Sequence, residues 1–137
     1  MKHFKISSEN IWHQINDEFK DSGGVYILKC LNGDNNYPLT VNRLLASDEQ
    51  GILYIGKANR FIDRVAELKK SISPQYTSGS HECGSRYKSN ENIYKNFPYE
   101  SLHVELVGSD NPRQTESDLL QKYESKYGEL PPLNRCS

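Results

Sequence analysis

Two tyrosines of this 137-residue chain belong to short apolar runs that could set up chemistry. A Gly-Val-Tyr run ends at Tyr26, and a Leu-Tyr-Ile-Gly-Lys run places Tyr54 three residues before Lys57. A cation beside a phenol lowers the pKa of the phenol from about 10 and makes it a better base. Tyrosines in strands more often serve packing, and the chain has nine of them, so packing stays the alternative.

Glu116 is placed for a different kind of chemistry. On a helix predicted from Thr115 to Tyr127, Glu116 falls at the head of the apolar stripe instead of facing water. A carboxylate aimed at a core is costly unless it is paired or holds a cation. A position in the first helical turn also favours negative charge. The alternative is a helix-start cap, or a buried pair with Arg or Lys.

Arg64 would supply a guanidinium near the same place. On a helix predicted from Arg60 to Ile72, Arg64 borders the apolar face and should emerge at the edge of the sheet. A fixed guanidinium there suits a phosphate oxygen. The commoner outcome for such a residue is a surface salt bridge, here with Glu67 or Asp63.

Hydrophobic periodicity predicts the elements that must position these side chains. Three segments read as strands: Val25 to Leu31, Ile52 to Ile55 and Ser101 to Val107. Four read as helices: Ser7 to Lys20, Arg60 to Ile72, Ser89 to Asn96 and Thr115 to Tyr127. Between them, 37–50 is a hairpin extension or a short helix, and 73–84 is a flexible loop. We therefore predict an α/β (α+β) fold, a small three-stranded antiparallel sheet flanked by helices.

Length and composition predict one domain over 1–137, without a membrane partner. No apolar run approaches the roughly 20 residues that cross a bilayer, and the first residues lack the apolar core of a secretory signal. Cys30, Cys83 and Cys136 are odd in number, which favours reduced thiols in a cytoplasmic protein. A zinc site built from His81, Cys83 and a remote cysteine is the alternative.

The charge of the chain is unevenly distributed. The net charge is −1, but 57–95 carries eight basic and four acidic residues. A polyanion would therefore be attracted to the middle of the chain. The candidate nucleic-acid contacts are Lys57, Arg60, Arg64, Lys69, Arg86 and Lys88. A solvated helix face would explain the same charges.

Taken together, these residues resemble the GIY-YIG nuclease family. The resemblance runs from about Gly23 to Asn134 and rests on both tyrosines, Lys57, an arginine ten residues after Tyr54, the inward glutamate, and Asn134 after Pro-Pro-Leu. Each motif alone is weak, but the combination is specific. It implies the sheet described above, with 1–22 as an N-terminal helix extension, and a divalent-metal-dependent endonuclease.

The resemblance also implies roles for the individual residues. The catalytic surface would be made by Tyr26, Tyr54, Lys57, Arg64, Glu116 and Asn134. Tyr26 would be the general base, with Tyr54 positioning the water, or metal-linked water would take that part. Arg64 would clamp the phosphate, and Glu116 would be the sole protein ligand of one Mg²⁺ or Mn²⁺. Hydrolysis would leave a 5′-phosphate and a 3′-hydroxyl.

One departure from the family pattern concerns proton transfer. Many members carry His or Tyr four residues after the arginine, and here that place is Leu68. His81, or failing that Tyr87, would replace it from the adjacent loop. The alternative for His81 is an ordinary loop histidine.

The other departure concerns length, because 28 residues separate Tyr26 from Tyr54. We therefore expect 32–51 to be an insertion, either a substrate-contacting flap or a dimer element. The implied substrate is DNA, with RNA as an alternative, and sequence specificity would come from loops, a homodimer or a partner protein. Two other interpretations stay open: a non-catalytic nucleic-acid-binding module, and a protein-interaction domain.

Overall fold

The strand that carries Tyr26 is buried along its whole length. All seven residues of Gly24–Cys30 are buried, so this strand must lie inside a sheet that is covered on both faces. A computed structural model describes residues 2–31, 37–76 and 81–135. It shows a mixed α+β fold in which one antiparallel sheet is flanked by helices.

The strands are β1 (Lys2–Lys5), β2 (Gly24–Cys30), β3 (Val41–Asn42), β4 (Ser47–Asp48), β5 (Ile52–Ala58) and β6 (Leu102–Gly108). The helices are α1 (Ile11–Phe19), α2 (Phe61–Ile72), α3 (Glu82–Ser89), α4 (Glu91–Asn96) and α5 (Pro112–Tyr127), with a 3₁₀ turn at Tyr99–Ser101. The predicted strands and the predicted helices α2 and α5 are confirmed, with shifts at their ends. None of the described helices combines the length and apolar character that a membrane span requires.

The main sheet has four strands, in the order β1-β6-β2-β5, and not the three that we predicted. The additional strand β1 pairs antiparallel with β6 and places Phe4 opposite Val104. It was missed because Phe4 is the single apolar residue of a four-residue strand rich in charge. The segment 1–22 therefore supplies an edge strand as well as a helix, which begins at Ile11 and not at Ser7.

The two faces of the sheet have separate cores. The face that carries Tyr26 and Leu28 packs against α1, α2 and α3. The opposite face, with Val25 and Ile27, packs against Leu120 and its neighbours on α5. Because β5 is an edge strand, groups from both sides of the sheet meet at its outer edge.

The insertion contains a short β-hairpin, one of the two forms predicted for it. Strands β3 and β4 pair with each other, and Asp48 at the end of β4 is fully buried. Its carboxylate accepts hydrogen bonds from the Ile52 backbone N–H at 3.2 Å and from the Tyr123 hydroxyl at 2.8 Å. The hairpin is thus tied to β5 and to α5, while residues 32–36 lie outside the described residues.

The prediction of a loop over 73–84 is wrong at its C-terminal end, because α3 begins at Glu82. Two tertiary features explain this helix. The His81 imidazole accepts the backbone N–H of Cys83 at 3.1 Å, which caps the helix start. Gly84 lies so close to α2 that an added Cβ would stand 2.1 Å from Cβ of Ser71. Residues 77–80 of that segment lie outside the described residues.

Candidate functional site

Tyr26 and Tyr54 lie side by side on the sheet face that packs against α2 and α3. They belong to the adjacent strands β2 and β5, where Tyr26 pairs with Gly56 and Tyr54 with Leu28. Their ring centroids are 5.9 Å apart. Tyr26 is fully buried and Tyr54 is half-buried. The two predicted phenols therefore converge on one place.

His81 joins the tyrosine pair from the start of α3. Its Nε2 lies 2.6 Å from the Tyr26 hydroxyl oxygen, and its ring centroid lies 5.5 Å from that of Tyr54. Tyr87, the other candidate for this place, instead donates its hydroxyl to the Phe97 carbonyl at 2.6 Å. The structure thus brings His81 to the tyrosines and leaves Tyr87 in the core.

Arg64 approaches the same phenols from α2. Its guanidinium donates to Glu67 at 2.6 Å, and it lines the same cavity as the Tyr26 phenol. The predicted surface salt bridge is therefore present, and the positive charge of the arginine also acts on the phenol. Exposed pairs of this kind contribute only about 0–1 kcal/mol, so a phosphate can replace Glu67 at little cost.

Burial and charge act in opposite directions on the phenols. Burial raises the pKa of Tyr26 above its usual range, and the neighbouring Tyr54 adds to this, whereas Arg64 lowers it. Burial likewise raises the pKa of Tyr54. Both side chains are therefore neutral phenols at pH 7, and loss of a proton depends on the cations around them.

Glu116 reaches the site from the opposite face of the sheet. Because α5 begins at Pro112 and not at Thr115, Glu116 lies in the second helical turn, which weakens the predicted help from the helix dipole. Its half-buried carboxylate lines the cavity together with Lys57 at the edge of β5. Burial raises the pKa of Glu116, and the charge of Lys57 lowers it.

These groups line a single cavity of about 350 Å³, bounded by Tyr26, Tyr54, Lys57, Ala58, Asn59, Arg64 and Glu116. Five of the seven predicted catalytic residues thus share one space. Ala58 and Asn59 were missed by sequence reasoning. The available signal was their position directly after Lys57, where the chain leaves β5 for α2.

Asn134 lies behind this cavity and holds the edge of β5. Its amide nitrogen donates to the Ile55 carbonyl at 3.0 Å, and its amide oxygen accepts the Ile55 N–H at 2.9 Å. The Leu133 N–H also donates to the Leu53 carbonyl at 2.8 Å. The tail therefore replaces a missing neighbouring strand, and Leu133 and Asn134 together hold the backbone on the two sides of Tyr54.

Four of the predicted nucleic-acid contacts have partners elsewhere. Lys69 donates to the Ser8 carbonyl at 3.0 Å and lies over the ring of Trp12, on the α1 side of α2. Lys88 donates to the Tyr76 carbonyl at 2.6 Å. These two lysines are thus turned to the protein's own backbone.

Arg86 and Arg60 are the other two. Arg86 donates to the Leu133 carbonyl at 2.7 Å and so fixes the C-terminal tail. Arg60 is exposed and forms ion pairs with Asp21 at 2.8 Å and with Asp63 at 3.2 Å. Lys57 and Arg64 are the two predicted contacts that line the cavity.

Glu116 fits a metal site with one protein ligand. None of the ion pairs among the described residues involves it, although its carboxylate is half-buried and faces the cavity. A carboxylate oxygen is a ligand that Mg²⁺ and Mn²⁺ accept, with water and substrate phosphate completing the shell. Among the described residues there is no group of three or more His, Cys, Asp or Glu side chains that could hold a metal ion.

The zinc alternative at His81 and Cys83 is not supported by the described residues. Both ring nitrogens of His81 are engaged, one with Tyr26 and the other with the Cys83 N–H. Cys83 is fully buried, and burial raises the pKa of its thiol to about 12. Comparisons with protein-family models, curated proteins and solved structures returned no match.

Proposed function

We propose that this chain is a divalent-metal-dependent endonuclease of the GIY-YIG type, acting on DNA phosphodiester bonds. The observation that carries the proposal is the shared cavity, in which Glu116 from one face of the sheet meets Tyr26 and Arg64 from the other. The proposal is also supported by the antiparallel strands β6, β2 and β5 next to α2 and α5, although the sheet has a fourth strand, β1.

The cavity has separate places for a phosphate and for a cation. Lys57 is exposed and Arg64 is partly exposed, and both can donate to phosphate oxygens as charge builds on them. Glu116 would hold Mg²⁺ or Mn²⁺, which when bound supplies positive charge near the leaving 3′-oxygen.

Tyr26 is the proposed proton acceptor for the attacking water. Its hydroxyl oxygen lies 2.6 Å from Nε2 of His81, and the charge of Arg64 lowers its pKa, since donors and positive charge around an oxygen favour its anionic form. Tyr26 first releases its own proton to solvent through the cavity. As a phenolate, it then takes the proton of the water while the oxygen of that water bonds to phosphorus. The bond from phosphorus to the 3′-oxygen breaks, and that oxygen leaves with a proton from solvent.

Cleavage assays on supercoiled plasmid and end-labelled duplex test the proposal. We expect the wild type to cut with Mg²⁺ or Mn²⁺ and to leave 5′-phosphates, and Glu116→Ala to remain folded without cutting. Glu124→Ala, an exposed position on the same helix, is the matched control and should cut like the wild type.

The alternatives give different results in the same samples. A protein that binds DNA with steep salt dependence but never cuts with either metal would be a non-catalytic binding module. A protein that neither cuts nor binds any oligonucleotide would be an interaction domain.

A further inference from the structure

We propose that His81 is held in a single tautomer by the start of α3 and acts on Tyr26 as a hydrogen-bond donor, so that it positions Tyr26 and does not accept its proton. The catalytic consequence rests on the proposed function, whereas the tautomer itself does not. The sequence had suggested the opposite part for His81, that of a group that transfers a proton.

Nδ1, the His81 ring nitrogen farther from Tyr26, determines the tautomer. The Cys83 backbone N–H lies 3.1 Å from Nδ1 of His81, and a backbone N–H can only donate. Nδ1 must therefore present its lone pair. In a neutral imidazole the proton then lies on Nε2, the nitrogen 2.6 Å from the Tyr26 oxygen.

The imidazole is neutral in this environment. Burial lowers the pKa of His81 to about 4, and the charges of Arg64 and Arg86 act in the same direction. A doubly protonated ring would also lose the bond at Nδ1, because both nitrogens would then be donors. At pH 7 the ring therefore donates to Tyr26 through Nε2 and accepts from α3 through Nδ1.

The ring is fixed by the packing of two helices. The His81 backbone N–H donates to Oγ of Ser71 on α2 at 3.0 Å, and Gly84 allows α3 to approach Ser71 closely. The exposed fraction of His81 is 1%, so bulk water does not compete for either partner. Exchange of the tautomer would place two donors face to face at the start of α3.

This donor changes what Tyr26 can do. Its oxygen accepts the His81 N–H, so its own proton must point away from His81, to Tyr54 or to the cavity. The same donor stabilises the phenolate form and lowers the pKa of Tyr26 against the effect of burial. The other groups that face this oxygen are Tyr54 on β5, Arg64 on α2 and Cys83 on α3.

Two substitutions of His81 test the roles of its two ring nitrogens separately. Asparagine has a carbonyl oxygen near the Nδ1 position and is a favoured helix cap, but it is too short to reach Tyr26. Glutamine reaches the Nε2 position with an amide N–H but is a poor cap. We expect His81→Asn to stay folded and cleave DNA about 10- to 100-fold more slowly, the loss of one hydrogen bond to a charged group.

The pH profile and the second variant sharpen this expectation. In His81→Asn the rise of kcat/KM with pH should move to higher pH, because the phenolate has lost a donor. His81→Gln should retain the wild-type profile and most of the rate, with a lower Tm. Wild-type cleavage and profile in His81→Asn would overturn the positioning role.

The tautomer can be read without any nuclease activity. In ¹⁵N-labelled protein the resonances of the four histidines are compared with those of His81→Asn, which identifies His81 by its absence. We expect a proton on Nε2 and a bare Nδ1 between pH 6 and 8. A proton on Nδ1, or titration of the ring in that range, would overturn the inference even if the enzyme cuts DNA.

Discussion

The ring of Tyr26 lies directly over the Cα of Gly56, its partner on the neighbouring strand. A Cβ added at Gly56 would stand 2.5 Å from the ring carbon that bears the hydroxyl and 2.6 Å from the hydroxyl oxygen. The glycine therefore makes the space in which the phenol meets His81 and Arg64. This close contact explains why a glycine lies two residues after Tyr54.

We expect Gly56→Ala to displace Tyr26 and to reduce cleavage far more than it reduces folding. Overpacking of this kind costs about 1–3 kcal/mol in the free energy of unfolding, measured by denaturant titration. The matched control is Gly108→Ala, because a Cβ at Gly108 on β6 meets no atom within 4 Å. Full activity in Gly56→Ala would show that the phenol need not lie where it does.

Arg64 should be sensitive to its shape as well as to its charge. Arg64→Lys keeps the charge but loses the planar fork that can donate two parallel hydrogen bonds to a phosphate. We expect cleavage to fall by about 10²- to 10³-fold in single-turnover assays, as for loss of one donor to developing charge. Lys70→Ala, an exposed cation on the same helix, should leave the rate unchanged.

Replacing Asn134 should lower the stability of the protein, and any loss of cleavage should follow from that loss of stability. Asn134→Ala removes both amide hydrogen bonds to Ile55, and we expect a loss of about 1–3 kcal/mol in the free energy of unfolding with faster hydrogen exchange at the Ile55 amide. Asn134→Asp keeps the acceptor and should protect that amide more than alanine does. Cleavage lost in Asn134→Ala without faster exchange at Ile55 would instead indicate direct contact with substrate.

The most accurate predictions from the sequence were those that depend on local hydrophobic periodicity. The inward position of Glu116 and the border position of Arg64 follow from helical geometry, and the strands that carry the tyrosines follow from their apolar runs. Edge strand β1 carries a single apolar residue and gave no such signal.

Features that depend on a distant partner could not be predicted. Helix α3 is formed from weak helix formers and depends on the His81 cap and on the contact of Gly84 with Ser71. Lys69 and Arg86 have the charge that a nucleic acid attracts, but backbone carbonyls remote in sequence engage them. No local pattern reveals such carbonyls.

The pKa of Glu116 gives the proposal a pH signature. Burial raises this pKa in the folded protein, so the folded state binds a proton more tightly than the unfolded state does. Without metal, the ionised carboxylate costs stability, and the contribution of Glu116 to stability should rise as pH falls through its folded pKa. Glu116→Gln should therefore be at least as stable as the wild type at pH 7. In the wild type, the affinity for Mn²⁺ should decrease as the pH is lowered, and the decrease should begin at a higher pH than it would for an exposed glutamate.

The most direct test combines these two expectations in one pair of proteins. Mn²⁺ binding, followed by paramagnetic broadening, and duplex cleavage are measured at pH 7 for the wild type and for Glu116→Gln, with folding checked by thermal melts. We predict binding and cleavage in the wild type, and the loss of both in a variant that melts no earlier. A Glu116→Gln protein that still binds Mn²⁺ at the cavity and cuts DNA would contradict the central claim that this one carboxylate holds the catalytic ion.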